Sequence, residues 1–148
     1  MPSLSVAREF LKQRRIAVVG VSRDPHDFSR LLYKKMLGSG YQLYAVNPTA
    51  ESTESIRYFR SVRDLPEAVD GALLMVPAAQ SEAVVQECLA AGIRRVWLYR
   101  ANGQGAVSPE AVALARSAGI AVVDGACPFM FLGSFPHKIH RLFVRFDP

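Results

Sequence analysis

The stretch that decides the fold is IAVVGVSRD, residues 16–24. Four apolar residues follow the pair Arg14-Arg15 and run into Gly20 and a polar turn. A run so short and so apolar suits a strand covered on both faces, as in a parallel sheet. Gly20 stands at its carboxyl end, where a chain can turn sharply and let a ligand approach the backbone. From residue 27 to 37 the spacing becomes helical, and Phe28, Leu31, Leu32, Lys35 and Met36 predict one mostly apolar stripe. Strand, glycine turn and helix N-terminus together form an anion site, because the first helical N–H groups lack partners and the dipole is positive there. The expectation is a nucleotide-binding domain.

Working outward, residues 5–13 predict an opening helix, lying across the sheet or extending its edge. Residues 41–46 predict a second strand, stopped by Asn47-Pro48, and residues 56–59 a short edge strand. Residues 61–69 hold a brief helical turn. Residues 71–76 form another buried run, closed by Pro77, with a helix over 80–91. A strand follows at 95–99, then a helix opened by the cap Ser108 and by Pro109, and a last strand at 120–124. Alternating strands and helices define a Rossmann-like, doubly wound parallel α/β sheet, three layers in a single domain over residues 1–148. Right-handed crossovers favour the strand order 3-2-1-4-5-6, with 56–59 as the third strand. The crevice between the carboxyl ends of 16–21 and 71–76 is then the topological switch point, where such sheets bind ligands.

Composition narrows the class. The chain has 148 residues, 50% hydrophobic and 21% charged, which is ordinary for one globular domain and not for a disordered chain. Its apolar runs are too short to span a bilayer. The start, Met1-Pro2-Ser3, lacks the pattern of a secretory leader, so a cytoplasmic protein is expected. Cys88 and Cys127 have neither metal-ligand spacing nor a disulfide framework, which fits a reducing compartment. Cys127 reads as a small buried thiol, since no His or acid is spaced to mark it as a nucleophile. His26, His137 and His140 form no ligand set, so neither a metal nor a catalytic residue is expected.

The formal net charge of +5 suits an anionic ligand. The most basic segment is the tail, where Ile139, Leu142, Phe143 and Phe146 form a stripe with Lys138, Arg141 and Arg145 opposite. That pattern predicts an amphipathic helix over 136–148, packed on the sheet or at a dimer seam, rather than an arm for nucleic acid.

The remaining question is which nucleotide. A dinucleotide site carries G-x-G-x-x-G, with an acid about 20 residues on for the ribose. After Gly20 the chain reads Val21-Ser22-Arg23-Asp24-Pro25, and Asn47 stands near the place of the acid. Both departures count against an NAD(P)-binding oxidoreductase-like or redox-sensing module, which stays as the alternative. The loop offers instead the Ser22 hydroxyl, the Arg23 guanidinium and backbone N–H groups, all suited to phosphate.

Further residues carry a resemblance. They are Gly20-Val21-Ser22, Ser29, Gly40-Tyr41, Val46-Asn47-Pro48, Asp64-Leu65-Pro66-Glu67 with Val69-Asp70, Val96-Trp97-Leu98, and Cys127-Pro128. In that order, from about residue 16 to 128, the chain resembles the CoA-binding domain family, small stand-alone relatives of the CoA-binding domain of succinyl-CoA synthetase α subunits. The resemblance implies CoA or an acyl-CoA at the switch point. Gly20, Val21 and Ser22 would cradle the pyrophosphate, near Ser29. Asn47, Pro48 and Thr49 would flank the adenosine part, and Val76 and Pro77 would pass the pantetheine arm. The lysine that synthetases use near the 3′-phosphate is missing from Thr49-Ala50-Glu51-Ser52, and Arg23 or Arg30 is left to substitute. Synthetases also need a histidine and a nucleotide-grasp domain beyond this one, for which 148 residues leave no room. A binding module is therefore expected, partnered by an acyl-CoA enzyme or by a second copy of itself.

Overall fold

A computed structural model describes residues 3–132; the tail helix expected over 136–148 lies outside the described residues. The apolar runs become six strands: β1 (Arg15–Val19), β2 (Gln42–Val46), β3 (Tyr58–Phe59), β4 (Gly71–Leu74), β5 (Arg95–Leu98) and β6 (Ala121–Asp124). All pairings are parallel, in the order β3-β2-β1-β4-β5-β6. This is the order that right-handed crossovers favour, as expected from the sequence. Ile16 faces Leu43 on one side and Gly71 on the other, so β1 is central, and everything in it after Arg15 is buried. β3 keeps only two of the four expected residues. Ile56 is taken into a turn instead, accepting from the Thr53 N–H at 2.8 Å and donating its own N–H to Thr53 Oγ1 at 3.1 Å.

Four helices complete three layers. α1 (Leu4–Leu11) and α2 (Phe28–Gly38) lie on one face, α3 (Ala78–Ala90) and α4 (Pro109–Ser117) on the other. α1 crosses β5 and β6 rather than extending an edge. It buries Phe10, whose ring meets Trp97 edge-on at 5.5 Å. Trp97 is itself fully buried and donates its Nε1–H to the Ala126 carbonyl at 3.1 Å, the partner a buried indole needs. Ser108 caps α4 by accepting from Ala111 N–H, with Pro109 in the first turn. α3 begins two residues earlier than its spacing suggested, directly after Pro77.

The stripe expected on α2 is rotated. The helix buries Ser29, Leu32 and Met36, while Phe28 and Leu31 are 41% and 55% exposed. Leu32 and Met36 lie one turn apart and dock on the sheet. Phe28 and Leu31 therefore turn toward the carboxyl edge of the sheet, where Phe28 meets the Tyr99 and Phe129 rings, each at 5.7 Å. Among the described residues no helix is long and apolar enough to cross a membrane.

Candidate functional site

β1 and β4 end side by side, and the chain leaves them toward opposite faces, β1 into α2 and β4 into α3. The two departures open a crevice at the switch point. Gly20 follows β1 there with φ +101°, a conformation open to glycine and costly for other residues. A Cβ at Gly20 would stand 2.5 Å from the Met75 carbonyl oxygen and 3.2 Å from Val76 Cγ1. The sequence suggested that a bare backbone here serves a ligand; the protein's own backbone already fills that side.

The turn after Gly20 is held from three directions. Asn47 donates its side-chain N–H to the Val21 carbonyl at 3.0 Å. The Ser22 carbonyl accepts the Tyr58 hydroxyl at 2.7 Å and Arg30 Nη1 at 3.4 Å, and Arg23's carbonyl accepts the same guanidinium at 3.0 Å. The Ser22 N–H donates to Ser29 Oγ at 2.9 Å. Asn47 Oδ1 also accepts from the Thr49 N–H and hydroxyl at 3.0 and 3.1 Å. Gly20, Val21, Ser22, Ser29, Arg30, Asn47 and Thr49 are thus brought to one turn, through register between β1 and β2 that places Val19 beside Val46. Arg30 spends its guanidinium on carbonyls, whereas Arg23 is exposed at the loop tip.

The first N–H groups of α2 are not all free. Asp27 caps the helix, accepting from Ser29 N–H at 2.9 Å and from Ser29 Oγ at 2.6 Å. A carboxylate therefore already satisfies part of the helix end that the sequence offered to a phosphate.

Three cavities lie around the turn, and one of about 550 Å³ is lined by Pro25, His26, Asp27, Arg30 and Lys34, among others. On the α3 face a small one of about 50 Å³ is lined by Val19, Val46, Pro48, Arg60, Val76 and Glu87, among others. Glu87 accepts the Ser61 hydroxyl there. On the α2 face a larger one of about 510 Å³ is lined by Phe28, Leu31, Tyr99, Asn102, Cys127 and Phe129, among others. Pro77 lines none of the three, and instead stands at the N-cap of α3. Cys127 is only partly buried, so its thiol lines a cleft rather than filling a core. Burial still pushes the Cys127 thiol up, against the opposing pull of the Phe129 N–H and Tyr99. Burial likewise pushes the Tyr99 phenol up to about 12, with the Cys127 thiol adding to the rise. Among the described residues no three His, Cys, Asp or Glu side chains gather as a metal site would require; His137 and His140 lie outside them.

Tyr58, Phe28, Leu31 and Tyr99 are the residues that reading the sequence did not place at the site. Their signal was faint: a tyrosine on an edge strand, and apolar residues on a helix whose period alone puts them inside.

Comparison with known proteins adds the family. A CoA binding domain model matches residues 14–132. The uncharacterized protein YneT of Bacillus subtilis is 28% identical over 127 residues, which cover 85% of this chain and 91% of that protein. The α subunit of acetate–CoA ligase (ADP-forming) II of Pyrococcus furiosus is 30% identical over 94 residues, 63% of this chain. The matched part is only 21% of that subunit, so the chain corresponds to about a fifth of it. Among solved structures, a hypothetical protein from Pyrococcus horikoshii superimposes with a TM-score of 0.75 at 28% identity, covering 83% of this chain and 84% of that one. With its six-stranded sheet and the crevice beside Gly20 inside the matched span, the chain belongs to the CoA binding domain family.

Proposed function

We propose that this protein binds CoA or an acyl-CoA in the crevice at the carboxyl ends of β1 and β4, as a binding module rather than an enzyme. The observation that carries the reading is the turn at residues 20–23. It sits at the switch point of a chain whose family is CoA-binding and is held rigid by Asn47, Tyr58 and Arg30. A preorganised turn binds without first being ordered, which preserves affinity.

In this reading Gly20, Val21 and Ser22 meet the pyrophosphate, with Arg23 reaching its oxygens from the loop tip. Pro48 and Thr49 border the adenosine part. Val76, which lines the small cavity on the α3 face, passes the pantetheine arm. Ser29, Arg30 and Asn47 act one step back, by holding the turn. Cys127 and Tyr99 are shifted toward their protonated forms, which suits a surface that binds rather than one that attacks. The free thiols Cys88 and Cys127 fit a cytoplasmic location, and the partner is an acyl-CoA enzyme or a second copy of this chain.

Thermal unfolding with added nucleotides tests the assignment. Only a ligand that prefers the native state stabilises it, in proportion to its affinity. CoA at a given concentration raises Tm more than NAD or NADP. An equal or larger shift with NAD would return the chain to the oxidoreductase-like or redox-sensing alternative. Mass spectrometry of the native protein, asking which nucleotide copurifies, gives an independent answer.

A further inference from the structure

CoA differs from its dephospho precursor by one phosphate on the adenosine ribose, and a module selective for CoA needs a cation there. The sequence left Arg23 and Arg30 as candidates. Arg30 donates Nη1 to the Ser22 and Arg23 carbonyls, which directs that end of its guanidinium to the turn. Arg23 stands at the loop tip beside Ser22, where the pyrophosphate is placed. Arg57 lies with its guanidinium 4.8 Å over the Phe59 ring. His26 and Lys34 line a different cavity from Pro48 and Val76, together with Asp27, Arg30 and Ile56.

Arg60 is different. It follows β3 directly, and the Asn47 N–H donates to the Phe59 carbonyl at 2.9 Å, which fixes Arg60 beside the Asn47-Pro48 turn. Its side chain lines the same cavity as Val46, Pro48 and Val76, at the carboxyl ends of β2 and β4. It is exposed, and among the described residues no carboxylate lies within ion-pair distance of it. The acid in that cavity, Glu87, accepts the Ser61 hydroxyl and forms no ion pair with Arg60 among the described residues.

We infer that Arg60 is the specificity residue for the 3′-phosphate of CoA, which makes the ligand of this crevice a 3′-phosphorylated adenosine nucleotide. The inference rests on the proposed CoA reading and adds to it the group that selects CoA over its precursor. An arginine fork suits a terminal phosphate, which it can engage through two parallel hydrogen bonds.

Calorimetric titration of the full chain with CoA and with 3′-dephospho-CoA tests it. The unaltered protein binds CoA about 10-fold or more tightly than dephospho-CoA, as a charge-assisted phosphate contact provides. Arg60→Ala brings the two affinities together by weakening CoA alone, leaving dephospho-CoA within about twofold. Arg60→Lys recovers part of the preference, since the charge remains and the fork does not. A preference for CoA that survives in Arg60→Ala overturns the assignment, as does an unaltered protein that binds both ligands equally. In those two results CoA binding itself still stands. A protein that binds neither ligand overturns the CoA reading, and this inference falls with it.

Discussion

The Tyr58 hydroxyl lies 2.7 Å from the Ser22 carbonyl oxygen, so the edge strand of the sheet holds the turn that follows its central strand. Tyr58 is buried, and its position is set by the pairing of Ala45 with Tyr58. Tyr58→Phe keeps the ring and removes the bond. The expected loss is about 0.5–1.5 kcal/mol in urea unfolding, toward the low end because Arg30 still serves the same carbonyl. CoA affinity should fall alongside, through a looser turn. An unchanged midpoint and unchanged affinity would mean that the bond does not hold the turn.

Gly20→Ala should destabilise the protein before any ligand is added. The positive φ costs about 1–3 kcal/mol for a residue with a Cβ, and the Met75 carbonyl must move to make room. A fall in Tm of about 4 °C or more is expected. Retention of the parental Tm would show that the turn relaxes freely.

Arg23→Ala removes a cation from an exposed loop and should leave stability within about 0.5 kcal/mol. Its effect belongs to the ligand, about 1.5–3 kcal/mol of CoA binding if it meets phosphate. It should weaken CoA and dephospho-CoA alike, in contrast to a change at the ribose phosphate. No loss of affinity would leave Arg23 simply solvated.

The two thiols should differ in alkylation. Cys127 lines a cleft but has its thiol pushed up by burial, so at pH 8 it should react more slowly than a free thiol, because the thiolate is the nucleophile. Cys88, fully buried and pushed up to about 12, should react only on unfolding. Mass spectrometry after timed labelling reads both. Rapid labelling of Cys127 at neutral pH would contradict its protonated state.

Part of the alkaline stability follows from Tyr99. Its folded pKa, about 12, lies above its ordinary value of 10, so the folded state holds the phenolic proton more tightly than the unfolded chain. The stabilisation is complete below pH 10 and is lost as pH rises from about 10 to about 12. Tyr99→Phe should flatten that part of the stability profile. An identical alkaline fall in the variant would assign the loss to other groups.

Strand order was legible because it depends on apolar runs and on chain handedness, both carried by short stretches. Gly20 could be located in the same way, but its reason could not. The Met75 carbonyl approaches it only once β1 and β4 pair, a contact 55 residues away in the chain. Asn47 read as the end of a strand; its bond to Val21 exists because β1 and β2 share a register. Phe28 and Leu31 fit the helical period yet line the cavity on the α2 face, since periodicity gives the spacing of a stripe and not the direction in which the helix is turned. Tyr58 is the clearest case, a polar tip whose partner lies on another strand's turn.

The Asp27 cap changes what the mouth of α2 can offer a nucleotide. A diphosphate arriving there would share the helix end with a resident carboxylate, which already takes the Ser29 N–H. That sharing lowers what the helix dipole alone supplies, and lowers it equally for every nucleotide that carries a diphosphate. Discrimination must then be made at the extremities of the ligand, the purine end and the thiol end, where one nucleotide differs from the next.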